Sequence, residues 1–277
     1  MTLSYRVSKD IDGTIKATLD LGGPFPIEAV LLKTPSGRRT ACLSTQLGCA
    51  LGCRFCKTGT LGWVRNLSAE EILSQYEVLA REEGPAPNIV FMGMGEPLAN
   101  LAEVQTAIRL LLRRKEAAPA LRHITVSTAG IVPAIYQLAE EGPAVYLTLS
   151  VFSVKEEVRR SLMPGVSSFS LVETKEALLY YRTRTRKRPT LAVVLIRGLN
   201  DTLEDALLLV DYAKDIKPLV NLIPYNPVPG LPYEPAEDET IQLFYRILTT
   251  AKIPTVRRFP RGRGVYGACG QLGSLPD

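Results

Sequence analysis

Residues 48–59 read GCALGCRFCKTG, in which Cys49, Cys53 and Cys56 form the spacing C-x3-C-x2-C. Three thiolates on one short loop can bind three irons of a [4Fe–4S] cluster and leave the fourth iron without a protein ligand, whereas such clusters normally take four. An open coordination position can bind a further ligand, which is how metal sites become catalytic. The spacing therefore predicts a [4Fe–4S] cluster with chemistry at its open iron.

Two other interpretations of the cysteines fit less well. A structural zinc site takes four ligands, typically in two separated pairs, and the remaining candidates are only Cys42, Cys269 and the single histidine, His123. A disulfide framework is disfavoured because five cysteines is an odd number, in a large chain whose first residues show no secretory segment. Clustered free thiols without an export signal indicate a reducing compartment, so we expect a cytoplasmic protein.

Composition and charge narrow the class of protein further. The 277 residues are 46% hydrophobic, and no apolar run approaches the ~20 residues needed to cross a bilayer, so no membrane partner is expected. The net charge is +5, and arginines cluster in two runs, RTRTRKR at 182–188 and RRFPRGRG at 257–264. Either arginine-rich run alone is best explained as part of an ordinary solvent-exposed surface. Two such runs favour a nucleic-acid partner, and if they guide RNA both should lie near the mouth of the cluster site.

The rest of the chain alternates between strand and helix patterns. Ser68 and Glu71 form a capping box that opens a helix, and about six strand–helix units follow the cysteine loop. Their strands are apolar almost throughout, as expected for parallel strands buried on both faces. Because six units are fewer than the eight of a closed barrel, we expect an α/β fold of the partial, open TIM type. Ligands should then bind at the carboxyl ends of its strands.

We expect a single domain over residues 1–277. The sequence IDG at 11–13 is a turn signal between two strand patterns, so residues 1–26 are predicted to form a β-hairpin extension. The partial barrel then covers residues 27–258 and carries the cluster loop at 49–56. A catalytic tail that contains Cys269 covers residues 259–277.

Five segments together resemble a known family. They are TACLSTQLGCALGCRFCKTGTLGWVRNLSAEEI at 40–72, NIVFMGMGEPL at 88–98, HITVSTAGIVP at 123–133, NLIPYNPVPG at 221–230 and ACGQL at 268–272. The cysteine triplet with an aromatic residue before its last cysteine resembles the radical S-adenosylmethionine superfamily. The full set is similar to the adenosine C2/C8 methylases of large-subunit ribosomal RNA, the RlmN and Cfr enzymes. The similarity extends from about residue 27 to 272.

The resemblance implies a role for every cysteine. Cys49, Cys53 and Cys56 match the cluster ligands, and Cys269 matches the cysteine that carries a methyl group. Cys42 matches a resolving cysteine, which releases the product through a disulfide with the methyl-carrying one. Taken singly, Cys42 could be a buried strand thiol and Cys269 a stray thiol in a glycine-rich tail.

The resemblance also implies contacts with S-adenosylmethionine. Gly95 and Glu96 match the family's cofactor-binding pair, and Ser127, Ser150 and Asn226 match further contacts. Taken alone, Ser127 could be a helix N-cap and Asn226 a turn residue.

Two further positions carry open alternatives. The segment that begins at Ser150 usually reads Ser-Leu-His, and Phe152 stands here in place of the histidine. Any polar contact made by that side chain is therefore absent. Glu28 matches a glutamate proposed as a proton acceptor in the family, although a surface carboxylate on a strand fits it equally well. His123 opens a strand pattern and, with no second histidine, is interpreted as structural.

The resemblance leads to an expected function and partners. We expect a radical S-adenosylmethionine methyltransferase that acts on C2 or C8 of an adenine in RNA, with ribosomal RNA as the leading substrate. An electron donor such as flavodoxin or ferredoxin is implied, and a monomer is expected. The family normally carries a separate N-terminal helical domain that engages RNA, whereas only about 25 residues precede the matched region here.

Two rival functions stay open. The first is a radical enzyme that modifies a different RNA, a peptide or a small molecule. The second is a non-catalytic iron–sulfur or RNA-binding protein, against which the cofactor motifs at Glu96 and Asn226 argue.

Overall fold

The structure is a computed structural model, and it describes residues 4–115 and 118–273. The strands in these ranges are β1 Ser4–Lys9, β2 Ile15–Asp20, β3 Ile27–Lys33, β4 Arg39–Leu43, β5 Gln46–Gly48, β6 Trp63–Asn66, β7 Asn88–Phe91, β8 Ile124–Thr128, β9 Tyr146–Ser150, β10 Thr190–Leu195, β11 Leu219–Pro224 and β12 Thr255–Arg257. The α-helices are α1 Lys57–Thr60, α2 Ala69–Glu83, α3 Leu101–Leu112, α4 Val132–Glu141, α5 Glu156–Leu162, α6 Leu171–Thr185, α7 Leu203–Ile216 and α8 Asp238–Thr250.

Ten of these strands form one sheet in the order β1-β2-β3-β4-β7-β8-β9-β10-β11-β12. The first four pair antiparallel, and from β4 onwards every neighbour is parallel. Within the described ranges β1 and β12 are the two edges and do not pair with each other. Helices connect each parallel strand to the next through six crossovers. The predicted open, partial barrel is therefore confirmed.

The N-terminal strands are more closely joined to the barrel than the sequence suggested. The hairpin of β1 and β2 pairs with β3, and β3 pairs with β4 through Val30 and Cys42. The extension is thus continuous with the barrel sheet. A second feature that the sequence did not predict is the small antiparallel sheet of β5 and β6, which encloses the cysteine loop.

Local sequence signals explain where the long helices begin. The capping box of Ser68 and Glu71 is present at the start of α2, as predicted. Equivalent boxes, not predicted from the sequence, open α6 and α7. The helices cover one face of the sheet, and strands such as β8 and β10 are almost completely buried.

In the part of the chain that the structure describes, no helix combines the length and the apolar character needed to cross a membrane.

His123 precedes β8 at the amino end of the barrel, where its Nδ1 lies 2.9 Å from Oδ1 of Asn88. This position favours the structural interpretation of His123.

Candidate active site

A cavity open to solvent lies at the carboxyl ends of β7–β11. This is where ligands bind in open α/β sheets. Eight of the eleven predicted site residues line it, namely Cys49, Cys53, Cys56, Gly95, Glu96, Ser127, Ser150 and Cys269. The other three, Glu28, Cys42 and Asn226, lie next to the tail that carries Cys269.

The cysteine loop is fixed in place by its own backbone. Gly48 has a φ of 80°, and a Cβ there would lie 1.9 Å from the carbonyl oxygen of Gly62, so only glycine permits this closure. The N–H of Cys49 donates to the same carbonyl at 2.8 Å. The end of α5 and the turn that follows it also bind the loop, the first by accepting from the N–H of Arg54 and the second by donating to the carbonyl of Leu51. The three thiols are therefore presented on a supported loop.

The three thiols suit an iron–sulfur cluster. Burial raises the pKa of each above the ordinary thiol value, that of Cys49 to about 12, so iron must displace their protons on binding. Within the described residues, no three His, Cys, Asp or Glu side chains converge on a single ion. In a [4Fe–4S] cluster each thiolate binds a different iron, so convergence is not required. Three soft thiolates on the wall of one cavity therefore fit a cluster better than a lone ion.

Glu96 places a buried carboxylate in the cavity wall. Its Oε2 accepts from the N–H of Ala129 at 2.9 Å and its Oε1 from the N–H of Leu98 at 3.0 Å. Burial raises its pKa, and these hydrogen bonds act in the opposite direction. The preceding Gly95 has a φ of 94°, and a Cβ there would lie 2.5 Å from that of Gln46. The oriented carboxylate can accept from a ligand ammonium with its remaining lone pairs.

The cavity wall has a polar and an aromatic part. The hydroxyl oxygens of Ser127 and Ser150 lie 3.3 Å apart at the ends of neighbouring strands. The buried ring of Phe152 stacks on Phe55, with ring centroids 4.6 Å apart and an interplanar angle of 14°. Phe152 has a φ of 55°, which is strained for a non-glycine residue, and Nδ2 of Asn200 donates to its carbonyl at 2.8 Å. No sequence pattern pointed to Asn200.

The tail folds back over the mouth of the barrel and brings Cys269 to the cavity. Sγ of Cys269 lies 3.9 Å from Sδ of Met92, and Nδ2 of Asn226 donates to the Cys269 carbonyl at 3.1 Å. The N–H of Lys57, at the end of the cysteine loop, donates to the carbonyl of Gly270 at 2.8 Å. Asn226 thus contacts the tail and does not line the cavity, so its contact with S-adenosylmethionine stays a prediction.

Cys42 lies beneath the tail, buried in β4. Burial raises its pKa, and the nearby thiol of Cys269 raises it further. Cys269 is exposed at the cavity, yet the protein atoms around its thiol remove part of its hydration and raise its pKa above the ordinary value. Both are free thiols, so a disulfide between them belongs to the proposed reaction and not to this state of the protein.

Glu28 is buried, which contradicts the alternative that it is a surface carboxylate. Its Oε1 lies 2.9 Å from Nζ of Lys16, and its Oε2 accepts from the N–H of Gly273 at 2.7 Å. Burial raises its pKa, whereas the Lys16 charge and the Gly273 amide act against this shift. Glu28 therefore joins a strand of the N-terminal part of the sheet to the tail.

The two arginine-rich runs lie at opposite ends of the barrel. Residues 182–188 form the last turn of α6 and the start of its connection to β10, so they lie at the amino ends of the strands, away from the cavity. The prediction that this run borders the mouth is wrong. One arginine of this run, Arg184, forms an ion pair with Glu140 at that end of the barrel. Residues 257–263 follow the carboxyl end of β12 and lead directly into the tail, as predicted.

Comparison with known proteins is consistent with this geometry. Residues 43–210 match the family model of the radical SAM superfamily. A probable dual-specificity RNA methyltransferase RlmN of Treponema pallidum is 42% identical, over 98% of this chain and 80% of that protein. Its counterpart in Thermus thermophilus is 41% identical, over 94% and 74%. A crystal structure of a radical SAM methyltransferase from Sphaerobacter thermophilus has a TM-score of 0.91 at 37% identity, covering 97% of this chain and 80% of that one.

The cysteine loop, the cavity and the partial barrel define a radical S-adenosylmethionine enzyme, whose cofactors are a [4Fe–4S] cluster and S-adenosylmethionine. A more distant neighbour, SuiB of Streptococcus suis, whose structure was solved with S-adenosylmethionine bound, shares only the fold, with a TM-score of 0.58 at 14% identity. Within the superfamily, the chain belongs to the RlmN family of RNA methyltransferases.

Proposed function

We propose that this enzyme methylates C2 or C8 of an adenine in RNA, with ribosomal RNA as the leading substrate, through a methylated Cys269 and a resolving Cys42. The observation that carries the proposal is the position of Cys269. Its thiol lines the same cavity as the three cysteines of the loop, with Cys42 close behind it. The names of the relatives, dual-specificity RNA methyltransferases, supply the substrate class.

The target atom explains why a radical enzyme is needed. C2 and C8 of adenine are electron-poor and do not attack the methyl group of S-adenosylmethionine as nucleophiles, whereas a carbon radical can add to them. When bound, the cluster and S-adenosylmethionine supply the hydrogen-abstracting radical and can take back the one electron that the base adduct must lose. The protein supplies the two thiols, the buried carboxylates and a cavity that holds the reacting groups close together.

The two thiols divide the transfer between them. Cys269 first accepts a methyl group from one molecule of S-adenosylmethionine, which would leave as S-adenosylhomocysteine while the thiol proton is released. Transfer of a hydrogen atom from that methyl group to the radical derived from a second S-adenosylmethionine would leave a carbon radical that bonds to the base. The adduct then loses one electron, and the hydrogen of the base carbon leaves as a proton. The Cys42 thiolate attacks the sulfur of Cys269 and the sulfur–carbon bond breaks. The base retains the electron pair and takes up a proton to complete its methyl group, and the new disulfide must be reduced by two electrons before another turnover.

Other residues hold the reactants in this scheme. Glu96 accepts from the ammonium of S-adenosylmethionine, next to the close backbone approach permitted by Gly95. Ser127 and Ser150 contribute hydroxyl contacts from adjacent strand ends, and Asn226 can contribute its amide after the tail moves. Glu28 is the candidate acceptor for the proton of the base carbon. Its support is its place beside the tail, where it already accepts the Gly273 N–H.

The remaining expectations concern partners. An external electron donor such as flavodoxin or ferredoxin would reduce the cluster, and the protein would act as a monomer in the cytoplasm.

The alternative function, modification of a different RNA, a peptide or a small molecule by the same radical chemistry, keeps the cluster and the cofactor contacts. It gives no separate task to Cys42 and Cys269, which is why we favour RNA methylation.

The direct test is mass mapping of modified adenosines in RNA from cells with and without this gene. The proposal predicts a 2-methyladenosine or an 8-methyladenosine that is lost without the gene and restored by the wild-type gene. The Cys269→Ala gene should not restore it. An unchanged pattern of modified adenosines would favour the peptide or small-molecule alternative.

A further inference from the structure

Residues 258–262, which lead from β12 into the part of the tail that carries Cys269, are held at both ends. The N–H of Arg258 donates to the carbonyl of Leu222 at 2.8 Å, which continues the pairing of β12 with β11. At the other end, the N–H of Gly262 donates to Oδ2 of Asp12 at 2.9 Å. Asp12 belongs to the turn between β1 and β2, so the N-terminal hairpin anchors this segment. The residues in between are therefore presented in a defined position.

Between these anchors, Phe259 projects into solvent. Its side chain is 72% exposed, more than any other aromatic side chain in the described part of the chain. The guanidinium of Arg257 lies 5.5 Å from its ring centroid, and Arg257 is itself held by an ion pair with Asp238 at 2.6 Å. The ring is thus supported by a cation and is not needed to fill the core. A single exposed ring is ordinary on a protein surface, but an exposed ring on an anchored segment rich in arginine suits nucleic-acid binding.

The same segment is connected to the part of the tail that carries Cys269. Nε of Arg263 donates to Oδ1 of Asn226 at 2.9 Å, and Nδ2 of Asn226 donates to the carbonyl of Cys269. Asn226 therefore joins the segment that follows Phe259 to the part of the tail that carries Cys269. Arg258 is exposed and makes no ion pair with the described residues. It lies close enough to Cys269 for its positive charge to lower the pKa of that thiol.

We propose that Phe259 is a stacking platform for an unpaired base of the RNA substrate and that Arg258 and Arg261 hold the neighbouring phosphates. This rests on the proposed function and names the form in which the RNA is recognised, a single-stranded segment. Proteins bind single strands by combining a basic surface with aromatic side chains on which bases stack. Four arginines within residues 257–263 supply the charge, and Phe259 supplies the exposed face. A base held there would lie beside the mouth that contains Cys269.

The test measures the affinity of the cluster-loaded, full-length enzyme for a short, unstructured oligoadenosine RNA by fluorescence anisotropy. Phe259→Ala should weaken binding about 5- to 150-fold, the range that corresponds to the removal of one stacked base. Phe259→Trp should bind at least as tightly as the wild type. Arg258→Gln should weaken binding and reduce the salt slope by about 0.7 for each phosphate that the variant no longer neutralises.

Tyr146 provides a matched control at the opposite end of the barrel. It is a partly exposed aromatic side chain at the start of β9, and Nζ of Lys187 lies 5.3 Å from its ring centroid. Tyr146→Ala should leave the affinity for RNA unchanged.

Two outcomes would overturn the inference. One is wild-type affinity in Phe259→Ala, and the other is an equal loss of affinity in Phe259→Ala and Tyr146→Ala. If the wild type itself binds no RNA, the proposed function fails. If the wild type binds RNA and methylates it while Phe259→Ala binds equally well, only the stacking platform fails.

Discussion

The side-chain amide of Asn226 binds the main chain of Cys269, with Nδ2 donating to the carbonyl oxygen at 3.1 Å although 43 positions separate them. Oδ1 of the same amide accepts from Nε of Arg263. One buried amide therefore joins two parts of the tail to the end of β11. Because buried polar groups are costly when left without partners, this contact fixes the thiol of Cys269 at the cavity.

Replacement of Asn226 should release the tail. Asn226→Ala removes both hydrogen bonds, so amide hydrogen exchange across residues 262–273 and the rate of Cys269 alkylation by iodoacetamide should both rise. The loss in free energy of unfolding should be about 1–3 kcal/mol. Asn100→Ala is the control, because Asn100 is equally buried and also donates to main-chain carbonyls, but away from the tail. Equal alkylation rates in the two variants would show that Asn226 does not position Cys269.

Features encoded by neighbouring residues could be predicted from the sequence. The spacing of Cys49, Cys53 and Cys56, the capping box at Ser68 and the alternation of strands and helices all act over a few positions. Each was therefore visible without a structure. The position of residues 182–188 was predicted incorrectly although a signal existed, because a run between a helix and the following strand must lie at the amino end of a parallel barrel.

Contacts between distant segments could not be predicted. The hydrogen bond from Gly262 to Asp12 joins residues 250 positions apart, and the stack of Phe152 on Phe55 depends on a strained backbone. The ion pair of Glu28 and Lys16 depends on the register of two strands, which decides the face each side chain occupies. Such relationships arise from tertiary packing and leave no pattern in the local sequence.

The cluster should depend on three cysteines only. After anaerobic reconstitution, Cys49→Ala, Cys53→Ala and Cys56→Ala should each lose the cluster or the ability to cleave S-adenosylmethionine, because the loop has no spare thiol. Cys42→Ala and Cys269→Ala should retain wild-type iron content and the absorption of a [4Fe–4S] centre. Loss of the cluster in Cys42→Ala would show that the ligand set is wrong.

The reactivity of Cys269 should increase steadily with pH. Partial desolvation by the surrounding protein raises its pKa above the ordinary thiol value, so the reactive thiolate is the minor form at neutral pH. Alkylation of Cys269, followed by peptide mass mapping, should therefore accelerate about tenfold per pH unit from neutral to mildly alkaline pH. A rate that is already constant near neutral pH would mean that the thiol is ionised there.

The buried pair of Glu28 and Lys16 should contribute to stability as well as to chemistry. Glu28→Gln removes the negative partner of a buried ammonium, which typically costs about 3–5 kcal/mol of unfolding free energy in urea titrations. Adding Lys16→Met should recover part of the loss. Asp211→Asn, in an exposed pair with Lys214, should leave the unfolding free energy almost unchanged, because water and salt screen exposed pairs. A fully stable but inactive Glu28→Gln would assign Glu28 to catalysis alone.

The most direct test of the proposed mechanism is mass spectrometry of protease digests from Cys42→Ala enzyme after reaction with RNA. Because Cys42 is proposed only to release the product, this variant should accumulate a covalent link between Cys269 and an adenosine through one carbon. The Cys269→Ala variant should cleave S-adenosylmethionine, transfer no methyl group to RNA and form no covalent link to it. Full turnover by Cys269→Ala, or an unmethylated Cys269 in wild-type protein produced with active cofactors, would contradict this mechanism.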